Sequence, residues 1–173
     1  MPMIRHFPLL VGIALLGGCA PAPSSAPTST SATPEVIQSI TRDVRVIDNI
    51  VAKCYCPETK KDDNQKETTT AYRNDGVIRK VVVVRDSEAA KSMAEYYFTE
   101  DRALRFAMQR GEEREHDGRD RLTSVTNLDA TYYFENGVLV AVRSSPWGFL
   151  AGNPEWEQEV EANAAEAVAR FVE

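Results

Sequence analysis

The stretches TAYRNDGVI at 70–78 and TYYFENGVL at 131–139 decide the fold of this 173-residue chain. Each begins as an aromatic strand, passes through a turn dipeptide and continues as an aliphatic strand. The dipeptides are Asp-Gly at 75–76 and Asn-Gly at 136–137, which readily adopt the positive φ angles that a two-residue hairpin turn requires. Each stretch therefore predicts a tight antiparallel β-hairpin.

The segment EYYFTEDRAL at 95–104 is a looser copy of the same pattern. It lacks glycine and is one residue longer, so a wider turn is expected there. Three hairpins in sequence predict a six-stranded antiparallel meander. Its strands are expected near 67–73, 77–85, 92–98, 102–109, 123–134 and 138–144.

Amphipathic helices are predicted before and after the hairpins. In the first helix, Thr33 is placed to cap, Pro34 suits the first turn, and the helix should end near Lys53. Its apolar stripe is Val36, Ile37, Ile40, Val44, Ile47, Ile50 and Val51. The second helix begins with Asn153 and Pro154. Its stripe is Trp156, Val160, Ala164, Ala167 and Phe171. One face of the sheet needs a cover, so an α+β fold with both helices packed on one face is expected.

The amino-terminal segment has the organisation of an export signal. Arg5 gives it a basic start, and an almost wholly apolar run follows at 7–16. The run is shorter than the about 20 residues of a membrane span, but it fits the roughly 7–15 residues of a signal-peptide core. It leads into LGGC at 16–19, which resembles the lipobox of bacterial lipoproteins. The alternative is an ordinary secretory signal in which the cysteine is there by chance.

The lipobox resemblance implies cleavage before Cys19, which makes 1–18 a signal peptide. Cys19 would then carry a diacylglyceryl group, and multiple acyl chains would anchor the protein stably to a membrane. The folded domain would face the periplasm. Ala20 stands where an aspartate commonly retains such proteins at the inner membrane of enteric bacteria, so the outer membrane is favoured over the inner.

The segment at 20–33 contains no charged and no aromatic residue. Such a composition cannot bury enough apolar surface to offset the entropy of ordering, and it predicts an unfolded tether. The lipidated cysteine and tether thus occupy 19–33, and 34–173 has the length of a single periplasmic domain. The repeated hairpins of that domain resemble those of small exported bacterial proteins of no assigned activity, a resemblance that supports the architecture and transfers no catalytic residue.

The charge balance bears on the partners. The net charge of the whole sequence is −6, and loss of Arg5 with the leader leaves −7 on the mature chain. An acidic chain with scattered arginines does not favour binding to nucleic acid or to anionic lipid headgroups. The membrane contact is therefore expected through the lipid on Cys19, and no nucleic-acid partner is expected.

Cys54 and Cys56 are the thiols that remain after lipidation, in an oxidising compartment. A local disulfide between them is one interpretation. Pro57 favours an extended Cys56, which places the two α-carbons near the upper limit for bridging, so free or intermolecular thiols are the alternative. His116 is the only histidine of the mature chain, whereas a structural zinc takes four ligands. No metal site and no cofactor are therefore expected.

His116 lies inside the charged run RGEEREHDGRDR at 110–121. One hypothesis makes it a general base that Asp117 or Asp120 orients. The other makes the run a solvated loop between the second and third hairpins. No serine or cysteine lies at the spacing of a known nucleophile motif, so the loop is favoured and no catalytic residue is assigned.

Aromatic side chains supply the candidate binding surface. Adjacent strand residues point to opposite faces, so one member of a pair such as Tyr132 and Tyr133 is expected on the face away from the helices. The candidate surface comprises Tyr72, Tyr96, Tyr97, Tyr132 and Tyr133, with Trp147 and Phe149 in an apolar loop before the last helix. The alternative is that these rings pack the sheet and plug its open end.

Three kinds of function remain open at this point. The first is a non-enzymatic binding or scaffold module that takes an envelope protein or a glycan. The second is a periplasmic enzyme acting on peptidoglycan or a small molecule, and the third is a purely structural lipoprotein. An enzyme should gather several titratable groups in one pocket. The sequence shows no such constellation, so a binding module is favoured.

Overall fold

A computed structural model of the chain describes residues 32–53, 57–62, 64, 66–88, 90–116, 119, 121–144, 148–151 and 154–172. Across these residues the fold is α+β, with one antiparallel sheet and two helices. Helix α1 spans Pro34–Val51 and helix α2 spans Pro154–Ala169. The strands are β1 (Glu58–Asp62), β2 (Glu67–Asn74), β3 (Val77–Asp86), β4 (Ala90–Phe98), β5 (Leu104–His116), β6 (Leu122–Glu135), β7 (Val138–Ser144) and β8 (Gly148–Ala151).

The strands follow one another across the sheet in chain order, and every neighbouring pair is antiparallel. The six predicted strands correspond to β2–β7, so the meander is confirmed and the strand count is wrong. Strands β1 and β8 add one strand at each edge, which gives eight strands in the part of the chain that the structure describes. Neither edge strand carries the signal used for the others, because ETKKD at 58–62 shows no polar–apolar alternation and GFLA at 148–151 is only four residues long.

The charged run at 110–121 is only partly a loop. Its first half, Arg110–His116, continues β5 and pairs with β6 as far as the register His116 to Leu122. The interpretation as a loop is wrong for this half. The strand is sustained by ladder pairing with the β-branched residues of β6, such as Val125, in spite of the charges on β5.

The two tight turns have the predicted geometry. Asp75 and Gly76 have φ of 50° and 79°, and Asn136 and Gly137 have φ of 52° and 77°. Two positive φ angles in succession match the twist of the flanking strands. The turn between β4 and β5 is wider, as expected, and the Thr99 amide donates to the Ala103 carbonyl across it at 3.0 Å.

The two helices lie on opposite faces of the sheet, which contradicts the prediction of a single covered face. The α1 face has a core of Ile40, Ile47, Tyr97, Phe106, Tyr133 and Ala141. The α2 face has a larger core of Ala71, Val81, Val83, Tyr96, Phe98, Leu104, Ala107, Phe134, Leu139, Val142, Val160, Ala164, Ala167 and Phe171. Neighbouring strand residues such as Tyr96 and Tyr97 therefore belong to different cores. The physical reason is that the central strands carry large apolar side chains at consecutive positions, so both faces need a cover.

An ion pair helps to hold α1 on its face of the sheet. The Arg105 guanidinium on β5 lies 2.8 Å from the Asp43 carboxylate on α1, and another of its nitrogens donates to the Phe134 carbonyl at 3.0 Å. Thr33 occupies the N-cap position with extended backbone, although its side chain makes no capping hydrogen bond. The apolar stripe and the Arg105 ion pair thus both contribute to the placement of α1.

Candidate functional site

The tyrosines of the predicted binding surface do not form an exposed row. Tyr96, Tyr97 and Tyr133 are buried, and Tyr72 and Tyr132 are half-buried. Tyr97 and Tyr133 pack in the α1 core, whereas Tyr96 and Tyr132 pack in or against the α2 core. Because a helix covers each face, the open sheet face on which they were placed does not exist. For Tyr96, Tyr97, Tyr132 and Tyr133, the alternative that these rings pack the sheet is the correct one.

Ring packing on the α1 face shows this core role directly. Phe106 lies between Tyr97 and Tyr133, with edge-to-face contacts to both at centroid distances of 5.4 Å. Edge-to-face pairs at this distance stabilise a core beyond the area that they bury.

The other predicted site residues lie mostly outside the described part of the chain. Cys19, Cys54, Cys56 and Trp147 are outside the described residues. Phe149 lies in β8, where only its backbone is described. His116 ends β5, and Asp117 and Asp120, its proposed orienting residues, also lie outside the described residues.

A buried charged network joins α1 to the sheet. The Lys80 ammonium on β3 lies 3.0 Å from Asp48 Oδ1 on α1, 3.1 Å from Glu95 Oε2 on β4 and 2.6 Å from the Tyr97 hydroxyl. Burial, together with the hydrogen bond to Glu95, raises the pKa of the Tyr97 phenol. An ammonium has three donors, and each of them has a partner here. The network therefore fixes α1 in place and leaves Lys80 no donor for a ligand.

A second buried ion-pair cluster lies on the α2 face, around Glu67 at the start of β2. Its carboxylate lies 2.7 Å from the Arg85 guanidinium on β3 and 2.7 Å from that of Arg170, just after α2. The hydrogen bond to Glu67 raises the pKa of Arg85. Arg170 thus attaches the carboxyl end of α2 to the sheet.

Sequence reasoning missed Glu67, although a signal for it exists. Glu67, Thr69 and Ala71 are alternate residues of β2, and all three are buried. A period of two puts them on one face of the strand. Extension of the apolar alternation backwards from Ala71 would have placed the Glu67 carboxylate in the α2 core, where it needs a cationic partner.

A cleft of about 220 Å³ opens beside Glu67, between α2 and strands β3–β5. We call it the α2 cleft. Glu159, Asn163 and Glu166 line it from the helix, and Gln109 lines it from β5. Arg85 and Arg170 bring positive charge to the same space, and Val83 and Ala94 add apolar wall. The α2 cleft therefore combines both signs of charge, two neutral amides and apolar surface.

Tyrosine hydroxyls support the sheet wall of the α2 cleft. The Tyr132 hydroxyl donates to the Gln109 side-chain oxygen at 3.4 Å, and Tyr96 lines the cleft itself. Burial raises the pKa of both phenols, so both are neutral hydrogen-bonding groups at physiological pH. Chemically, this arrangement can hydrogen-bond a small polar molecule from several sides.

A second opening lies at the carboxyl end of α2. It has a volume of about 330 Å³ and its apolar lining is Ile78, Phe98, Val168, Phe171 and Val172. Arg73 and Arg102 also line it. We call it the terminal pocket. It differs from the α2 cleft in being mainly apolar, with arginines as its charged groups.

Within the described ranges, no cluster of three or more histidine, cysteine or acidic side chains is placed to hold a metal ion. No helix in that part of the chain is long and apolar enough to cross a membrane.

Comparison of the chain with protein-family models, with curated proteins and with solved structures finds no match. The functional interpretation therefore depends on the residues of the α2 cleft and of the leader.

Proposed function

We propose that the chain is a lipid-anchored protein of the bacterial cell envelope, and that its domain binds an envelope glycan in the α2 cleft without catalysing a reaction. Two independent features support this proposal. The leader ends in a lipobox-like LGGC at 16–19, and the domain carries a polar cleft on one face.

The lining of the α2 cleft is the observation that carries the binding function. The side-chain amides of Asn163 and Gln109 each donate and accept hydrogen bonds, while Glu159 and Glu166 accept them. Sugar hydroxyls also donate and accept, and Val83 and the other apolar wall residues suit the C–H face of a sugar ring. The volume of about 220 Å³ is below the roughly 300–1,000 Å³ of sites for drug-sized ligands. The cleft therefore suits one sugar unit of a longer glycan.

The leader and tether suit a location close to such a glycan. Lipidation of Cys19 would hold the protein at a membrane, with the outer membrane favoured. The fourteen residues at 20–33 reach on the order of 40 Å in polyproline geometry. The domain would then sample the periplasmic space next to the bilayer, where envelope glycans are found.

Binding is tested with soluble disaccharide-peptide fragments released from peptidoglycan. The full chain carrying Cys19→Ser, which cannot be lipidated at that position, is titrated by calorimetry while chromatography follows the fragments. We expect saturable binding with unchanged fragments. Asn163→Ala should weaken it several-fold, because one hydrogen bond contributes about 0.5–1.5 kcal/mol.

The matched control is Asn49→Ala, which removes an exposed asparagine from α1 on the opposite face. It should leave the affinity unchanged. Absence of saturable binding, or an equal loss in both variants, would contradict a glycan site in the α2 cleft. Cleavage of the fragments would instead favour the enzyme hypothesis.

The anchor is tested separately. Mass spectrometry of the mature amino terminus should show an acylated Cys19, and Cys19→Ser should abolish that acylation. Recovery of an unmodified protein that is cut at another residue would refute lipidation and leave the cleft untouched.

A further inference from the structure

We infer that the terminal pocket binds the alkyl chain of a free fatty acid, with the carboxylate of that acid held by Arg102. This site is separate from the α2 cleft, and it does not depend on the glycan proposal.

The shape and lining of the terminal pocket fit a single alkyl chain. Ile78 and Phe98 come from the sheet, and Val168, Phe171 and Val172 come from the end of α2 and the turn after it. The volume of about 330 Å³ is within the range of small-molecule sites. Val172 remains 66% exposed, so the pocket presents apolar surface to water that an alkyl chain would cover.

Arg102 supplies the matching charge. Its side chain is exposed, and among the described residues its guanidinium has no hydrogen-bond or ion-pair partner. Its φ of 69° is in the left-handed region, and its amide donates to the Thr99 carbonyl at 3.1 Å. This turn holds the backbone of Arg102 at the edge of the apolar pocket that its side chain lines. A guanidinium matches the planar geometry of a carboxylate through two parallel hydrogen bonds.

Among the described residues, the acidic side chains close in sequence to lining residues of the pocket have partners of their own. Asp101 accepts a hydrogen bond from the Thr99 hydroxyl, and Glu100 forms an ion pair with Arg79 at 3.3 Å. Asp75 accepts from the Asn74 side-chain amide at 3.1 Å.

Arg73 plays a different part from Arg102. Its guanidinium donates to the Phe171 carbonyl at 2.9 Å and to the Gly76 carbonyl at 3.2 Å. It thus holds the pocket wall in place, and the head group of a ligand is left to Arg102. An apolar chain with one anionic end satisfies both features of the pocket.

The test titrates the full chain carrying Cys19→Ser with dodecanoate below its micellar concentration, and with dodecanol as the uncharged counterpart. We expect saturable binding of dodecanoate in a one-to-one ratio. Arg102→Gln should weaken dodecanoate binding about tenfold, the loss expected for one charge-assisted contact, and should leave dodecanol unaffected. The matched control is Arg45→Gln, an exposed arginine on α1, which should change neither affinity.

Filling the pocket gives a second readout. Val168→Trp places an indole in the space of the alkyl chain and should abolish binding of both probes. Ile78→Phe is the substitute if circular dichroism shows that the tryptophan variant is unfolded. The inference is overturned if dodecanoate does not bind, if a folded filled variant still binds it, or if Arg102→Gln weakens dodecanol equally. It is also overturned if the chain binds only vesicles of anionic phospholipid and not monomeric dodecanoate.

Discussion

Replacement of Glu67 by glutamine tests whether the ion pairs on the α2 face hold the helix to the sheet. The change keeps the size of the side chain and removes the negative charge that faces Arg85 and Arg170. The Glu67 side chain is 1% exposed, that of Arg170 is 22% exposed and that of Arg85 is 53% exposed. Loss of one partner from a buried ion pair costs about 3–5 kcal/mol. Because about half of the Arg85 side chain is exposed, its ion pair with Glu67 should contribute to the free energy of unfolding about as much as a surface ion pair, which is about 0–1 kcal/mol.

Most of the cost should therefore come from Arg170. We expect Glu67→Gln to lower the free energy of unfolding by about 3 kcal/mol, at the lower end of the buried range. Since 1 kcal/mol shifts Tm by about 2–4 °C in chains of 150–250 residues and by more in shorter ones, Tm should fall by roughly 10 °C. Urea denaturation and calorimetry of the full chain carrying Cys19→Ser measure both quantities.

The control is Glu58→Gln, which removes the partner of Arg73 at 3.7 Å in a pair whose side chains are both substantially exposed. It should cost less than about 1 kcal/mol. A triple variant with Glu67→Leu, Arg85→Met and Arg170→Met should recover most of the stability, because matched apolar groups commonly replace a buried ion pair without loss. If Glu67→Gln costs no more than Glu58→Gln, the cluster does not hold α2, and the account of this face is wrong.

Three further experiments, two that use pairs of substitutions and one titration, probe the rest of the fold. Gly111→Ala should lower the free energy of unfolding in urea by about 2 kcal/mol or more, because φ is 132° and a Cβ would lie 2.2 Å from the Lys91 carbonyl oxygen. The control is Gly76→Ala, whose Cβ would meet nothing within 4 Å. It should lower the free energy of unfolding by about 1 kcal/mol, from its positive φ alone. Ile40→Ala and Val160→Ala should each lower the free energy of unfolding by about 2–4 kcal/mol. In the double variant the two losses should add to within about 0.5 kcal/mol, because the two residues lie on opposite faces of the sheet. A strong departure from additivity would contradict two separate cores. In alkaline titration, the phenolate absorbance of four of the six tyrosines should rise only as circular dichroism reports unfolding. Burial raises the folded-state pKa of these four, while an unfolded phenol ionises near pH 10, so their stabilising contribution is present below about pH 10 and is lost as the pH rises further. Phenolate absorbance of all four in a folded chain would refute their burial. These four are Tyr96, Tyr97, Tyr132 and Tyr133.

The parts of the fold that the sequence predicts are those set by local interactions. The dipeptides at 75–76 and 136–137 need positive φ angles whatever the rest of the chain does, and both turns form as predicted. The apolar stripes of the helices are also local, and Ile40, Ile47 and Val160 are buried as expected. A stripe shows which side of a helix is buried and carries no information on which face of the sheet it meets.

The arrangement of the helices was predicted wrongly, although the sequence contains the information against it. Tyr132, Tyr133 and Phe134 are consecutive large apolar residues in one strand, and so are Tyr96, Tyr97 and Phe98. Runs without alternation are typical of strands that are buried on both faces. Interpretation of one tyrosine of each pair as a binding surface required an open face, whereas a cover on each face buries both members.

The candidate site depends on contacts that no local pattern reveals. Glu67 and Arg170 are 103 positions apart, and only the docking of α2 brings them together. The turn that holds Arg102 has no glycine, so sequence indicates a wider turn there and not the left-handed backbone of that arginine. Both openings are formed between α2 and the sheet, and their linings are therefore defined only once the face that α2 covers is known.

The two faces of the sheet differ in how they use their charged residues. On the α1 face, Lys80 has a partner for each of its three donors, and Arg105 is shared between Asp43 and the Phe134 carbonyl. On the α2 face, the ion pairs of Glu67 border an open cleft, and the terminal pocket lies at the end of the same helix. The predicted tether joins the chain at Pro34, at the start of α1. The proposed lipid anchor would therefore connect to the domain through α1, the helix that ion pairs attach to one face of the sheet. Both proposed ligand sites lie beside α2 on the opposite face, so a force transmitted through the tether would act on α1 and not on the ligand sites.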